Sequence, residues 1–142
     1  MTRVDFYILP DMDTDARDRF ACRLANRAVG EGQQVHVHVN AAAAAGLDEQ
    51  MWAYPAHRFL PHAVQGSEGA SRAPVIIASE PPEDAPDQLL INLTDTVPTF
   101  FGRFERVAEV VVQPHRDAGR ERYKFYRDRG YPLYHHELES WE

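Results

Sequence analysis

At 142 residues the chain is long enough for one domain built on one core and too short for two of ordinary size. Its 44% hydrophobic and 26% charged residues fall where folded globular proteins fall, which excludes disordered and membrane-embedded classes, and a formal charge of −7 opposes direct binding to nucleic-acid phosphates. The one cysteine, Cys22, excludes an internal disulfide or a thiolate metal cluster made by this chain alone, and its neighbours Phe20 and Leu24 point to a buried thiol.

No apolar run approaches the roughly 18 residues that span a bilayer, and Arg3 is the only basic residue ahead of the first apolar stretch. Neither a membrane span nor a signal peptide is therefore expected, and a cytoplasmic location is. Residues 4–9 (Val-Asp-Phe-Tyr-Ile-Leu), stopped by Pro10, predict a buried first strand. Over residues 14–29, Phe20, Leu24 and Ala28 recur every fourth position, with Ala16, Ala21 and Ala25 beside them and arginines elsewhere. That spacing predicts an amphipathic helix, with Asp13 or Thr14 as its cap and Gly30 as the left-handed residue that closes it. Residues 34–39 alternate Val35, Val37 and Val39 with His36 and His38, a second strand whose histidine face is expected to be exposed.

The alanine-rich stretch 41–52, with Asn40 as cap, predicts a second helix. Short strands are expected at 58–60 and 74–78 around a Gly/Ser loop, and the proline-rich segment 81–86 reads as a polar loop. A strand at 88–93, a short aromatic helix at 98–104, a strand at 107–112, a helix at 116–129 closed by Gly130, and a strand at 133–136 complete the chain. Strands alternating with helices, and strands this apolar, predict an α/β fold: a mainly parallel sheet with helices on both faces, as one domain over residues 1–142.

Such a sheet raises the possibility of a nucleotide site at the first strand-to-helix turn. Here that turn is Pro10-Asp11-Met12-Asp13-Thr14, which has no glycine and places two carboxylates where a phosphate needs amides and positive charge. A Rossmann-like topology without a nucleotide site is the expectation. The alternative is a small nucleotide-dependent enzyme with a degenerate phosphate site. Histidine pairs at His36/His38 and His135/His136 leave open a metal-binding regulator, but two pairs on separate strands do not make a tetrahedral set, and no metal or other cofactor is expected. His57 and His62 flank Phe59-Leu60-Pro61, where a ring that fixes loop backbone is the simpler reading. No nucleophile sits in a strand-to-helix elbow, so no catalytic residue is assigned.

Two segments suggest binding. Trp52, Tyr54, Phe59 and Leu60 gather large apolar side chains around a helix end and a loop, either to complete the core or to form an exposed anchor for another protein. Residues 116–129 carry six Arg or Lys against three acids, a basic, aromatic-rich helix on an acidic chain. Arg120, Tyr123, Lys124 and Arg127 share one face of it. That face is either a solvated surface balanced by Glu121 and Asp128, or a small anion site in which a guanidinium forks onto a carboxylate beside an aromatic wall.

The ordered set Phe6-Tyr7-Ile8-Leu9, Cys22-Arg23-Leu24-Ala25, Leu47-Asp48-Glu49-Gln50-Met51-Trp52, Phe59-Leu60-Pro61-His62, Ala73-Pro74-Val75-Ile76-Ile77, Leu90-Ile91-Asn92-Leu93 and Arg120-Glu121-Arg122-Tyr123-Lys124-Phe125-Tyr126-Arg127 with Gly130 resembles the chi subunit family of bacterial DNA polymerase III holoenzyme. The resemblance implies a nucleotide-fold relative without nucleotide or catalytic activity. It also implies a place in the clamp-loader complex and binding to the acidic C-terminal tail of single-stranded DNA-binding protein. Arg120 would then take the terminal carboxylate, Tyr123 would wall the pocket, and Lys124 and Arg127 would attract acidic residues upstream. Trp52 and Phe59 match positions that contact the psi subunit, and family analogy allows a helicase-like partner on the same surface. Any link to nucleic acid is then indirect.

Overall fold

Runs such as Val-Asp-Phe-Tyr-Ile and Val-Ala-Glu-Val-Val combine β-branched and aromatic side chains that pack well on a pleated surface, and they form two adjacent interior strands of the sheet. The computed structural model describes residues 1–53, 60–68, 70, 73–83 and 88–142. In chain order these form β1 (Arg3–Ile8), α1 (Asp15–Gly30), β2 (Val35–His38), α2 (Ala44–Ala53), β3 (His62–Val64), β4 (Val75–Ala78), β5 (Leu89–Asn92), β6 (Arg106–Val111), α3 (Arg116–Asp128) and β7 (Leu133–Glu137). The strands make one seven-stranded sheet in the order β3-β4-β2-β5-β6-β1-β7. Every pairing is parallel.

Because successive side chains alternate across a strand, each strand feeds two cores. On one face Val35, Val37, Ile77, Ile91, Ala108 and Val110 meet α1 and α2 through Ala16, Phe20, Ala25, Leu47 and Met51. The alanines of α1 bring its axis close to the sheet. On the other face Val4, Phe6, Leu90, Val107 and Val111 meet Tyr126 of α3 and the aromatic residues Phe101 and Phe104. Helices therefore cover both faces.

At the centre of the second face lies a buried polar network. Glu109 and Arg122 form an ion pair with Nε–Oε1 at 2.8 Å, and both side chains are almost wholly buried. The Tyr126 hydroxyl donates to Oε2 at 2.8 Å, and the Asn92 amide donates to both carboxylate oxygens at 3.0 Å. Burial pushes the Glu109 carboxyl upward, against the pull of Arg122, Asn92 and Tyr126. Three donor groups aimed at two oxygens fit the carboxylate form. Burial and the neighbouring Glu109 push the Tyr126 phenol well above its ordinary range, which keeps it a donor. Arg122, counted in sequence among the six basic residues of the helix, is thus part of the core.

Other details depart from the sequence reading. The left-handed residue after α1 is Gly32, at φ 80°, while Gly30 is the helix's last residue. Asp13, not Thr14, accepts the free Asp15 N–H, at 2.9 Å. The second helix opens with a 3₁₀ turn at Ala41–Ala43, and Asn40 makes no side-chain cap bond. The strand expected at 58–60 forms at His62–Val64, beyond Leu60; residues 58 and 59 lie outside the described residues. The aromatic segment 98–104 supplies one 3₁₀ turn, Phe101–Arg103, whose rings fill the core without a full helix. Gly130 closes α3 at φ 76° as expected, and Cys22 is fully buried with its thiol pushed up to about 12 by desolvation.

Arg122→Met should lower the unfolding free energy in urea by about 3–5 kcal/mol, because it strands a buried carboxylate. Adding Glu109→Leu should recover part of that loss: the Tyr126 hydroxyl loses its acceptor, while the Asn92 amide keeps its bond to the Thr96 carbonyl. A single variant as stable as the parent would refute the role given to the pair.

Candidate functional site

The residues that fix α3 to the sheet also aim the rest of the helix. Gly119, Arg122 and Tyr126, at spacings of three and four, are its buried stripe. Gly119 permits close approach to β6, since a Cβ there would lie 2.9 Å from Cγ1 of Val111. The stripe next to it, Arg116, Arg120 and Tyr123, then looks along the sheet toward β7. Between them opens a concavity of about 240 Å³ floored by Phe6, Ile8 and Val111, with His135 and Glu137 as its far wall.

Arg120 and Tyr123 therefore share one concavity. The Tyr123 ring is held edge-on by Phe6 at 5.3 Å and by His135 at 6.4 Å, a rigid apolar wall. Arg120 is two-thirds exposed, and its bond to Asp117 at 3.4 Å is a surface pair that another carboxylate can displace at little cost. Lys124 and Arg127 are exposed further along the helix and are not part of the lining; Arg127 contacts Asp128 at 3.2 Å. Sequence reasoning missed Arg116, His135 and Glu137. Arg116 was legible as the residue one turn before Arg120. His135 and Glu137 were not, because nothing local says that β7 lies beside β1. Two guanidiniums against one carboxylate, over an apolar floor, make a site suited to one carboxylate attached to an apolar group.

The crevice where an open parallel sheet ordinarily binds nucleotides lies at the carboxyl ends of β1 and β6, whose connections leave to opposite faces. Here it is stitched across: the Gln113 side chain donates to the Leu9 carbonyl at 2.7 Å, and its backbone N–H to that of Asp11 at 3.0 Å. The carboxyl-terminal tail folds over the same turn, with Trp141 Nε1 donating to Asp11 at 2.9 Å and Glu142 bonded to Arg19 at 3.0 Å. Arg19 also holds Asp13 at 3.2 Å. The turn's cation, Arg19, is occupied by carboxylates, and the Asp15 N–H at the start of the helix is taken by Asp13.

Residues 1–134 match the protein family described as DNA polymerase III chi subunit, HolC. The chain belongs to the DNA polymerase III chi subunit family. The DNA polymerase III subunit chi of Pseudomonas aeruginosa is 44% identical, the match covering 97% of this chain and 98% of that one. The proteins of the same name from Escherichia coli and Haemophilus influenzae are 33% and 31% identical, over 94% and 90% of this chain and 96% and 92% of theirs.

In this chi-family chain Trp52 stands 60% exposed at the end of α2, its ring 4.7 Å from that of His62. His62 itself is buried: Nδ1 bonds the Leu60 carbonyl at 2.6 Å and Nε2 lies 3.2 Å from Asp48, so the ring fixes loop backbone as the sequence suggested. Leu60 is core. Phe59, like Tyr54 and His57, lies outside the described residues. Among the described residues no three His, Cys, Asp or Glu converge as metal ligands.

The histidines of β2 correct the sequence reading. His36 is buried and His38 half-buried, packed against Phe100 at 5.7 and 5.2 Å, because the 98–104 segment folds over their face of the sheet. Burial, with help from the charges of His38 and Arg103, holds His36 down to about 4 against an ordinary 6.5. The neutral ring therefore contributes stability that is complete above pH 6.5 and is lost as pH falls toward 4. His36→Leu should flatten urea-measured stability across that window, and a ring resonance of His36 that titrates near its ordinary value would contradict the assignment.

Proposed function

We propose that the chain, taken as one chi-like domain over residues 1–142, is a non-catalytic accessory subunit of the DNA polymerase III clamp-loader assembly. In this reading it binds the acidic C-terminal tail of single-stranded DNA-binding protein and joins it to the holoenzyme through psi. The observation that carries it is the concavity that Arg116, Arg120 and Tyr123 form over Phe6, Ile8 and Val111. A terminal carboxylate bonds the Arg120 fork, and the last side chain, if apolar, lies on the Phe6 floor against the Tyr123 ring. Lys124 and Arg127 draw in acidic residues upstream. Trp52, together with Phe59, is the proposed psi contact; exposed tryptophan fits a binding anchor. Contact with DNA is then indirect and the working location cytoplasmic, in keeping with the finding that no helix among the described residues is long and apolar enough to cross a membrane.

Arg120→Ala should weaken an acidic peptide with a free apolar terminus about ten- to hundredfold in calorimetric titration, the worth of a charge-assisted bond, and leave the melting temperature nearly unchanged. Capping the peptide's carboxylate as an amide should have a similar effect. Lys124→Ala or Arg127→Ala should cost only about twofold to fivefold and should reduce the dependence of affinity on salt. Glu137→Gln should tighten binding by a similar small factor, since it removes a like charge from the wall. Unaltered affinity in the Arg120 variant would sink the assignment.

A further inference from the structure

The far wall of the concavity is also the last strand of the sheet. β7 pairs with β1 on one side and has no strand on the other among the described residues. Val4 N–H donates to the Pro132 carbonyl and Leu138 N–H to the Ile8 carbonyl, each at 2.9 Å, in parallel register with Val4 opposite Leu133. In such a ladder the backbone groups of Tyr134 and His136 turn toward β1, and those of Leu133, His135 and Glu137 turn outward. The residues whose backbone faces outward are the ones whose side chains, at 135 and 137, line the pocket. The edge and the pocket are one continuous surface.

Resting on the reading above, we infer that an acidic peptide docks by β-strand addition, pairing parallel to β7 as an eighth strand while its terminal carboxylate sits at Arg120. Direction and charge agree on this occupant. α3 links the carboxyl end of β6 to the amino end of β7, so it runs antiparallel to both. Arg116 and Arg120 consequently lie near the carboxyl end of β7, beside Glu137 and Ile8, and Lys124 and Arg127 lie toward its amino end. A peptide parallel to β7 places its carboxylate beside the first pair and its upstream residues beside the second. The seven helical steps from Arg120 to Arg127 rise about 10 Å, which an extended strand covers in about three residues. Acidic side chains about three positions before the end therefore fall opposite Arg127.

The test is amide hydrogen exchange on the full chain, with and without saturating amounts of a peptide of eight residues, acidic in its middle and ending in an apolar residue with a free carboxylate. Exchange at His135 and Glu137 should slow by about tenfold or more, while Tyr134 and His136, already bonded to β1, change little. N-methylation of single peptide amides should abolish affinity at alternate positions only. Calorimetric binding with unchanged exchange at His135 and Glu137 would overturn the edge pairing and leave the pocket intact, whereas no binding at all would remove the pocket reading first and this inference with it. Protection already present in the free chain and rising with protein concentration would also overturn it, assigning the edge to a second copy.

Discussion

The ion pair between Glu109 and Arg122 fixes the rotation of α3, and most of what is distinctive about this molecule follows from that angle. A buried pair is a poor source of net stability, because removing two charges from water costs about as much as their attraction returns. It is strict about geometry, however. Arg122 reaches Glu109 at the middle of β6 only when Gly119 lies on Val111 and Tyr126 lies under Phe6 and Phe101. Turning the helix by one residue would strand a charge in the core, so the neighbouring stripe of Arg116, Arg120 and Tyr123 is aimed at β7 by a constraint made elsewhere.

The same sheet order explains why a nucleotide-type architecture presents its concavity in another place. In a doubly wound sheet the natural cleft is at the switch between β1 and β6. Here Gln113 bridges that cleft, and the tail from Leu138 to Glu142 returns across it, with Trp141 edge-on to Phe20 at 5.3 Å. With the top of the sheet closed, the open concavity lies at its flank, where α3 overhangs β1 but stops short of covering β7. What the arrangement can do is set by the side chains on that flank and not by the architecture alone.

Local pattern carried far in this chain where interactions are local. Strand runs such as 4–9 and 107–112, the four-residue recurrence of Phe20, Leu24 and Ala28, and the stripe of Arg120 and Tyr123 all depend on spacing along one element, and each is found within a residue or two of its expected place. What failed depends on which elements meet. Arg122 reads as just one more basic residue of the helix because its partner lies on a strand. His36 and His38 read as exposed because a period of two marks the two faces of a strand without saying that Phe100 and Phe104 cover one of them. The far wall of the candidate site was invisible for the same reason: His135 and Glu137 belong to it only because β7 pairs with β1, and sheet order is not written in local periodicity.

Placing a basic site on an acidic chain has a further consequence for the kind of partner it accepts. With Arg122 neutralised internally, five exposed Arg or Lys remain on residues 116–129 against three acids, in a chain whose formal charge is −7. Screening at physiological salt confines each charge to roughly 8 Å. A short acidic peptide lying along the helix feels mainly the arginines, because its charges stay within about 10 Å of helix length. A long polyanion extends beyond that stripe onto a surface of its own sign, where repulsion opposes it. Charge distribution, more than total charge, thus favours a short anionic segment over a long polyanion along this helix.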